Sequence, residues 1–179
     1  LFAHQIGLNL VKSFRKKEGG EVREFKGRLS EGFLNNLGFL LTHGQKVAIS
    51  EINGDLVKPF QMKRLLQGDV GSGKTVVALA TMLNVVEGGG QVAFLVPTEI
   101  LAYQQFKVIK KFVRSMDVDL TIITGSDKAV LRKAKLLDLS VGKIQIVVGT
   151  HALFQEEVKY HNLQYVVIDE QHRFGVNQR

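Results

Sequence analysis

Hydrophobic residues recur every four positions in the first part of the chain, a spacing typical of an amphipathic helix. One face of the predicted helix is formed by Phe2, Ile6, Leu10 and Phe14. Gly19-Gly20 would end this helix, because paired glycines favour a turn over continued helix. Helical patterns resume after the turn, and the sequence predicts a helical region from Leu1 to about Phe60.

After Lys58-Pro59 the pattern changes to short apolar runs that alternate with longer helical ones. The predicted strands are Arg64 to Gln67, Gln91 to Val96, Leu120 to Thr124, Ile144 to Val148 and Tyr165 to Asp169. The predicted helices between them are Lys74 to Glu87, Ile100 to Met116 and Lys128 to Leu139. Repeated strand-helix-strand units predict an α/β fold, an open and doubly wound parallel sheet with helices on both faces.

The positive charge of the chain is unevenly distributed. Its 24 Lys and Arg residues against 17 Asp and Glu residues give a net charge of +7, which favours a polyanionic partner such as nucleic acid or an anionic surface. Residues 1–30 hold seven basic and three acidic side chains, so +4 of the excess lies there. This arm could contact a phosphate backbone, or it could be a solvated helix that packs on a neighbouring element.

Length and composition restrict the class of protein. With 179 residues, 45% of them apolar, the chain accommodates one ordinary globular domain and some extra chain at an end. The absence of cysteine excludes a disulfide scaffold, a thiolate metal site and a cysteine nucleophile. The longest mostly apolar stretch, Val76 to Val86, is too short to span a bilayer. We therefore expect a soluble, cytoplasmic protein.

Eight residues between the first predicted strand of this region and its helix fit the pattern G-x-x-x-x-G-K-[ST] of a phosphate-binding loop. They are Gly68, Asp69, Val70, Gly71, Ser72, Gly73, Lys74 and Thr75. The glycines let backbone N–H groups point at phosphate oxygens, and the helix adds the positive end of its dipole. Lys74 would supply charge to the outer phosphates and Thr75 a hydroxyl to Mg²⁺, so the loop predicts binding of ATP with Mg²⁺.

Two acidic residues lie at the end of the last predicted strand, the first of them ninety-five positions after Lys74. Ligands of open α/β sheets bind at the carboxyl ends of the strands, where Asp169 and Glu170 would lie. Asp169 would hold Mg²⁺ through its water shell, and Glu170 would orient the attacking water and accept its proton. Taken alone, such a pair is often a solvated turn, but the phosphate loop favours a catalytic role for Lys74, Asp169 and Glu170.

Four blocks of sequence resemble motifs I, Ia, Ic and II of superfamily 2 DNA helicases. They are Gly68 to Thr75, Pro97 to Ala102, Val148 to Gln155 and Asp169 to Val176. The last block, with Gln171 followed by Arg-Phe-Gly, is most similar to the RecG family of bacterial ATP-dependent helicases, which remodel branched DNA in repair and recombination. Transcription-repair coupling factors resemble the chain less, since they usually carry Glu at the position of Gln171. The resemblance covers the whole chain.

The resemblance implies contacts with the adenine base and with DNA. It assigns Leu41-Thr42 and Gln45 to the stretch that touches adenine in such enzymes, and a nearby aromatic, Phe39, could stack on the base. The residues that it places along the DNA backbone are Thr98, Thr124, Gly125, Thr150 and His151. Their hydroxyl and backbone groups would bind phosphate without reading bases. Thr98 could equally serve as a helix cap.

The resemblance also implies a domain arrangement. Residues 1–58 would form a basic helical arm and linker, and residues 59–179 would form the first RecA-like ATP-binding domain, incomplete at its C-terminus. A second RecA-like domain, which normally supplies an arginine finger, and a wedge domain are expected outside these residues. The isolated chain would then hydrolyse ATP weakly or not at all. The alternatives are a coupling-factor type translocase and a catalytically silent nucleotide- or DNA-binding remnant.

Overall fold

The computed structural model describes residues 25–170, in which three helices are followed by strands that alternate with helical segments. The helices are α1 (Arg28–Asn35), α2 (His43–Leu56), α3 (Lys74–Glu87), α4 (Glu99–Val113) and α5 (Ala129–Ser140). The strands are β1 (Gln91–Leu95), β2 (Leu120–Ile123), β3 (Ile146–Gly149) and β4 (Leu163–Ile168), and a 3₁₀ turn spans His151–Phe154. The predicted N-terminal helix and Gly19-Gly20 lie outside the described residues. Within residues 25–170 no helix is long and apolar enough to cross a membrane.

The four strands form one parallel sheet in the order β2-β3-β1-β4. Val92 of β1 lies opposite Ile146 of β3 on one side and Tyr165 of β4 on the other. Every strand therefore ends at the same edge of the sheet, and the loops that follow the strands meet there.

Helices cover the sheet on both faces, and successive residues of β1 face opposite sides. Val92 and Phe94 join the larger apolar core with α1, α2, α3 and α4. Ala93 and Leu95 join a smaller core with Leu139 of α5. The fully buried β1 has no polar alternation for this reason, and the predicted doubly wound α/β fold is confirmed.

Helices α1 and α2 pack directly on the α/β unit. The Phe33 ring of α1 contacts Phe112 of α4 edge to face, with ring centroids 5.2 Å apart. On α2, Ile49, Ile52 and Leu56 are buried in the same core. Residues 28–56 therefore share their core with the sheet and α3.

The predicted strand at Arg64 to Gln67 is wrong. Phe60 forms an isolated bridge, and residues 61–69 have no regular structure. A strand requires a neighbour that accepts and donates its backbone hydrogen bonds, and none of the four described strands pairs with this segment. Met62 and Leu66 still pack against the larger core, so the apolar pattern is satisfied without a strand.

Candidate nucleotide-binding site

The phosphate loop immediately precedes α3, as predicted. Gly71 and Gly73 have φ angles of 80° and 81°, and Ser72 N donates to Asp69 O in a turn at 3.1 Å. These left-handed angles favour glycine, which lacks the Cβ that strains other residues there. Gly73 is the N-cap of α3 and has no side chain to cover the first N–H groups. The N-terminus of α3 is therefore available to an anion.

The ammonium group of Lys74 points back into the loop. Its Nζ donates to Gly68 O at 2.7 Å and to Asp69 O at 2.8 Å. These are neutral carbonyl acceptors, and an anionic phosphate is a stronger partner for an ammonium. Lys74 is thus held inside the loop, where its ammonium can exchange these carbonyls for the oxygens of a phosphate.

Gln45 of α2 fixes the loop from outside. Its Nε2 donates to Ser72 O at 2.8 Å, and its Oε1 accepts from Thr42 N at 2.9 Å. Thr42 Oγ1 in turn accepts from Gln45 N at 3.3 Å, which completes a capping box at the start of α2. A Cβ on Gly73 would come within 2.5 Å of Gln45 Nε2, so this contact requires glycine at position 73.

The structure brings the phosphate loop and the acidic pair to the same edge of the sheet. Asn162 Nδ2, just before β4, donates to Gly89 O after the end of α3, and Thr81 Oγ1 lies 3.3 Å from Tyr165 OH midway along both elements. The 14 residues of α3 span about 21 Å, and the six residues of β4 span about 20 Å. Because the end of α3 lies beside the start of β4 and the two elements have similar lengths, they run in opposite directions and bring Lys74 and Asp169 to the same level. Burial raises the pKa of Tyr165, so its hydroxyl stays protonated at this contact.

The acidic pair has a defined geometry. Asp169 N donates to Leu95 O at 2.9 Å, Glu170 N donates to Asp169 Oδ1 at 3.0 Å, and Gln105 Nε2 of α4 donates to Asp169 Oδ2 at 3.3 Å. Glu170 has a φ of 53°, a strained value for a residue with a side chain. Such strain is common at functional sites. No motif spacing in the sequence points to Gln105.

A charged cluster ties α2 to the segment that leads into the phosphate loop. Arg64 contacts Asp55 through Nη2 at 2.6 Å and Glu51 through Nη1 at 2.5 Å, and Lys58 Nζ lies 2.7 Å from Asp55 Oδ1. Hydrogen bonds from Lys58 and Arg64 lower the pKa of Asp55 against the opposing effect of burial. These ion pairs hold the irregular segment in place where the predicted strand is absent.

The residues predicted for DNA come together in part. Thr98, Thr124 and Thr150 follow β1, β2 and β3, which are adjacent at the carboxyl edge. Thr98 Oγ1 accepts from Leu101 N at 3.3 Å and so caps α4, which is the alternative weighed for this residue. Thr124 and Thr150 are buried, and Thr150 Oγ1 has no hydrogen-bond partner within residues 25–170. Gly125 and His151 are exposed beside them.

Glu99 fixes the loop after β2. Its Oε1 accepts from Ser126 N at 3.0 Å, and its Oε2 accepts from Ser126 Oγ at 2.6 Å. Arg132 of α5 supports the same loop from the other side, since its Nη1 donates to Thr124 O at 3.2 Å. The loop at residues 124–126 is therefore preorganised.

The parallel sheet, the loop at the start of α3 and the acidic pair after β4 define a RecA-like P-loop domain. The family model of DEAD/DEAH box helicases matches residues 42–179. The chain belongs to this family, and membership indicates use of a nucleotide.

Two relatives that align with the whole chain share one name. The chain is 46% identical over 179 residues to the ATP-dependent DNA helicase RecG of Aquifex aeolicus and 43% identical over 179 residues to that of Thermotoga maritima. Each alignment covers 100% of this chain and 23% of the relative, so the chain spans about a quarter of the length of these proteins. The structure of RecG bound to a three-way DNA junction superposes with a TM-score of 0.89 at 41% identity, covering 97% of this chain and 24% of that one.

Proposed function

We propose that the chain is the ATP-binding part of a RecG-like DNA helicase, in which ATP hydrolysis drives the remodelling of branched DNA. The observation that carries this proposal is that Lys74 and Asp169 lie at one edge of the sheet. The phosphate loop, which carries Lys74, is held by the hydrogen bond from Gln45 of α2 to Ser72 O. The high identity to RecG over the whole chain supports the choice of DNA as the partner. We also propose a cytoplasmic location, because the cytoplasm is where a bacterial protein meets DNA.

The residues present fit a nucleotide with Mg²⁺. Oxygen atoms are the ligands that Mg²⁺ prefers, and it is usually bound by one or two protein groups together with phosphates and waters. Thr75 would offer a hydroxyl and Asp169 a carboxylate, and within residues 25–170 no cluster of three or more acidic or histidine side chains competes for a metal. When bound, Mg²⁺ neutralises charge on the phosphates. Backbone N–H groups of residues 68–75 and Lys74 would bind the phosphates.

Glu170 is the group that we assign to proton transfer. Its strained backbone follows directly on Asp169, so its carboxylate is carried by the same turn as the predicted Mg²⁺ ligand. In this role Glu170 orients a water molecule and accepts its proton. Gln45 can still contact adenine, since each end of its amide retains one hydrogen-bonding position after binding Ser72 and Thr42. Phe39 is exposed nearby in sequence and could stack on the base.

The carboxyl edge of β1, β3 and β2 is the surface that we assign to the DNA backbone. It carries Thr98, Thr124, Gly125, Thr150 and His151, as proposed from the resemblance. The exposed Gly125 and His151 and the preorganised loop at residues 124–126 support this assignment, whereas Thr124 and Thr150 are buried. Binding through phosphates would be insensitive to sequence and strongly dependent on salt. The division into an arm of residues 1–58 and a domain of residues 59–179 stays a prediction.

A nucleotide titration tests the proposal. Lys74→Ala removes the charge that the loop aims at the phosphates, and we expect affinity for a fluorescent ATP analogue with Mg²⁺ to fall about tenfold to a hundredfold, the weight of one or two charge-assisted hydrogen bonds. Lys46→Ala, an exposed lysine on α2, is the matched control and should leave affinity unchanged. Equal affinity of Lys74→Ala and the unmodified chain would remove the phosphate loop from the proposal.

A further inference from the structure

Gln105 lies beside the acidic pair but belongs to none of the sequence motifs. Its Nε2 donates to Asp169 Oδ2 at 3.3 Å, and the two residues are 64 positions apart. The contact is therefore made by the packing of α4 against the sheet, where Ala102, Ile109 and Val113 of the same helix are buried. A helix held by a buried face places this side chain reproducibly.

Among residues 25–170, one donor contacts each oxygen of the Asp169 carboxylate. Glu170 N donates to Oδ1 at 3.0 Å, and Gln105 Nε2 donates to Oδ2. The Glu170 contact is local and follows from the turn, whereas the Gln105 contact is the one that restrains the second oxygen. A carboxylate oxygen can accept two hydrogen bonds, so the contacts from described residues leave one position on each oxygen. Together the two donors fix the rotation of the carboxylate and leave it able to bind a further group.

The orientation of the Gln105 amide is itself determined. Turning the amide over would place its oxygen against the Asp169 carboxylate, which is unfavourable because both groups are acceptors. In the observed orientation Gln105 Oε1 is buried and has no hydrogen-bond partner among the described residues. A buried acceptor without a partner costs free energy. A donor is therefore expected at this position, and the water shell of a bound Mg²⁺ consists of donors.

We propose that Gln105 is a positioning residue, which holds the Asp169 carboxylate in the orientation that receives hydrated Mg²⁺. The inference rests on the proposed function, since it concerns the same nucleotide site. Preorganised ligands bind a metal more tightly because less freedom is lost on binding. Loss of the Gln105 donor should therefore weaken the contribution of Mg²⁺ to nucleotide affinity and leave the contacts of the phosphate loop unchanged.

The test is a titration of the full 179-residue chain with a fluorescent ATP analogue, in Mg²⁺ and again in EDTA. Gln105→Met retains the length and much of the volume of the side chain and removes the donor. Gln104→Met is the matched control, because Gln104 is the exposed neighbour on the same helix. The quantity compared is the ratio of the two affinities, which a purely structural defect would not change selectively.

We expect the ratio of affinity in Mg²⁺ to affinity in EDTA to be about three- to tenfold smaller in Gln105→Met than in the unmodified chain. The affinity of Gln105→Met in EDTA should be unchanged, and Gln104→Met should behave as the unmodified chain in both solutions. The same gain from Mg²⁺ in Gln105→Met and the unmodified chain would overturn the inference. So would an equal loss in EDTA, which would show that Gln105 supports the fold rather than the metal site. Failure of the unmodified chain to bind nucleotide in both solutions would reject the proposed function, and this inference with it.

Discussion

Gln45 connects two parts of the candidate site. One end of its amide completes the capping box of α2 with Thr42, and the other end binds the Ser72 carbonyl in the phosphate loop. The pattern Thr-x-x-Gln at residues 42–45 is visible in the sequence and predicts the cap. The contact with Ser72 is not visible there, because it depends on how α2 packs against α3. The position of the loop is thus coupled to the N-terminus of α2.

Replacing Gln45 removes both contacts, and comparison with a cap variant separates their effects. We expect Gln45→Ala to lower the affinities for ATP and for GTP alike by about three- to tenfold, because the lost hydrogen bond holds the phosphate loop that would bind both nucleotides. Calorimetric titration with each nucleotide in Mg²⁺ measures the effect. An additional loss confined to ATP would measure the adenine contact assigned to the same side chain.

The control is Thr42→Ala, which removes the cap and leaves the Ser72 contact. Both variants should lose about 1 kcal/mol of unfolding free energy, but Thr42→Ala should retain nucleotide affinity. If Thr42→Ala and Gln45→Ala reduced nucleotide affinity equally, the loss would come from destabilisation of α2, and the hydrogen bond from Gln45 to Ser72 would have no role in binding.

Helices α1 and α2 behave as part of the nucleotide-binding unit. Phe33 and Leu37, at and after the end of α1, are buried in the same core as α3 and β1. Arg28 Nε also contacts Glu87 at the end of α3, at 3.0 Å. The family match begins at residue 42, within this helical region. An expression boundary placed at Lys58-Pro59 would remove this apolar cover from α3.

Truncation of Phe33 measures the contribution of α1. Phe33→Ala removes a fully buried ring and its edge contact with Phe112, and we expect a loss of about 3–5 kcal/mol of unfolding free energy. Urea denaturation followed by circular dichroism gives the value. Leu40→Ala, at a position that is 92% exposed, should change stability by less than about 0.5 kcal/mol. A Phe33→Ala variant as stable as the unmodified chain would show that α1 contributes no packing to this unit.

The elements that the sequence predicts well are those whose pattern is satisfied locally. Helix α3 begins and ends at Lys74 and Glu87 as predicted, because a loop glycine precedes it and a glycine turn follows. The buried runs of β1 and β3 are likewise readable from their composition. The segment at residues 64–67 has two adjacent apolar residues between Arg64 and Gln67, but a strand depends on a neighbour that its own residues do not specify.

The same distinction applies to the candidate site. The phosphate loop is one continuous run of residues and the acidic pair is another, so each can be identified from its own sequence pattern. Gln105 and Glu99 act through contacts across 64 and 27 positions, and only the packing of α4 reveals them. Arg64 contributes through ion pairs with α2 in the same way.

At the scale of the molecule, the carboxyl edge of the sheet carries both predicted surfaces. The residues assigned to the nucleotide lie at the β4 side of this edge, beside the start of α3. The residues assigned to DNA lie after β1, β3 and β2. Helix α4 reaches both surfaces, since Thr98 and Glu99 are at its start and Gln105 contacts Asp169. The two surfaces are therefore joined through one helix.

The central claim is that two segments, ninety-five positions apart, form one Mg²⁺-nucleotide site. A double-mutant cycle of Thr75→Val and Asp169→Asn tests it most directly, with affinity for the ATP analogue measured in Mg²⁺ and in EDTA. Each single variant should lose about tenfold in Mg²⁺, the double variant should lose little more, and none should change in EDTA. Additive losses, or losses that persist in EDTA, would show that the two residues do not share a metal ion and would contradict a single Mg²⁺-nucleotide site.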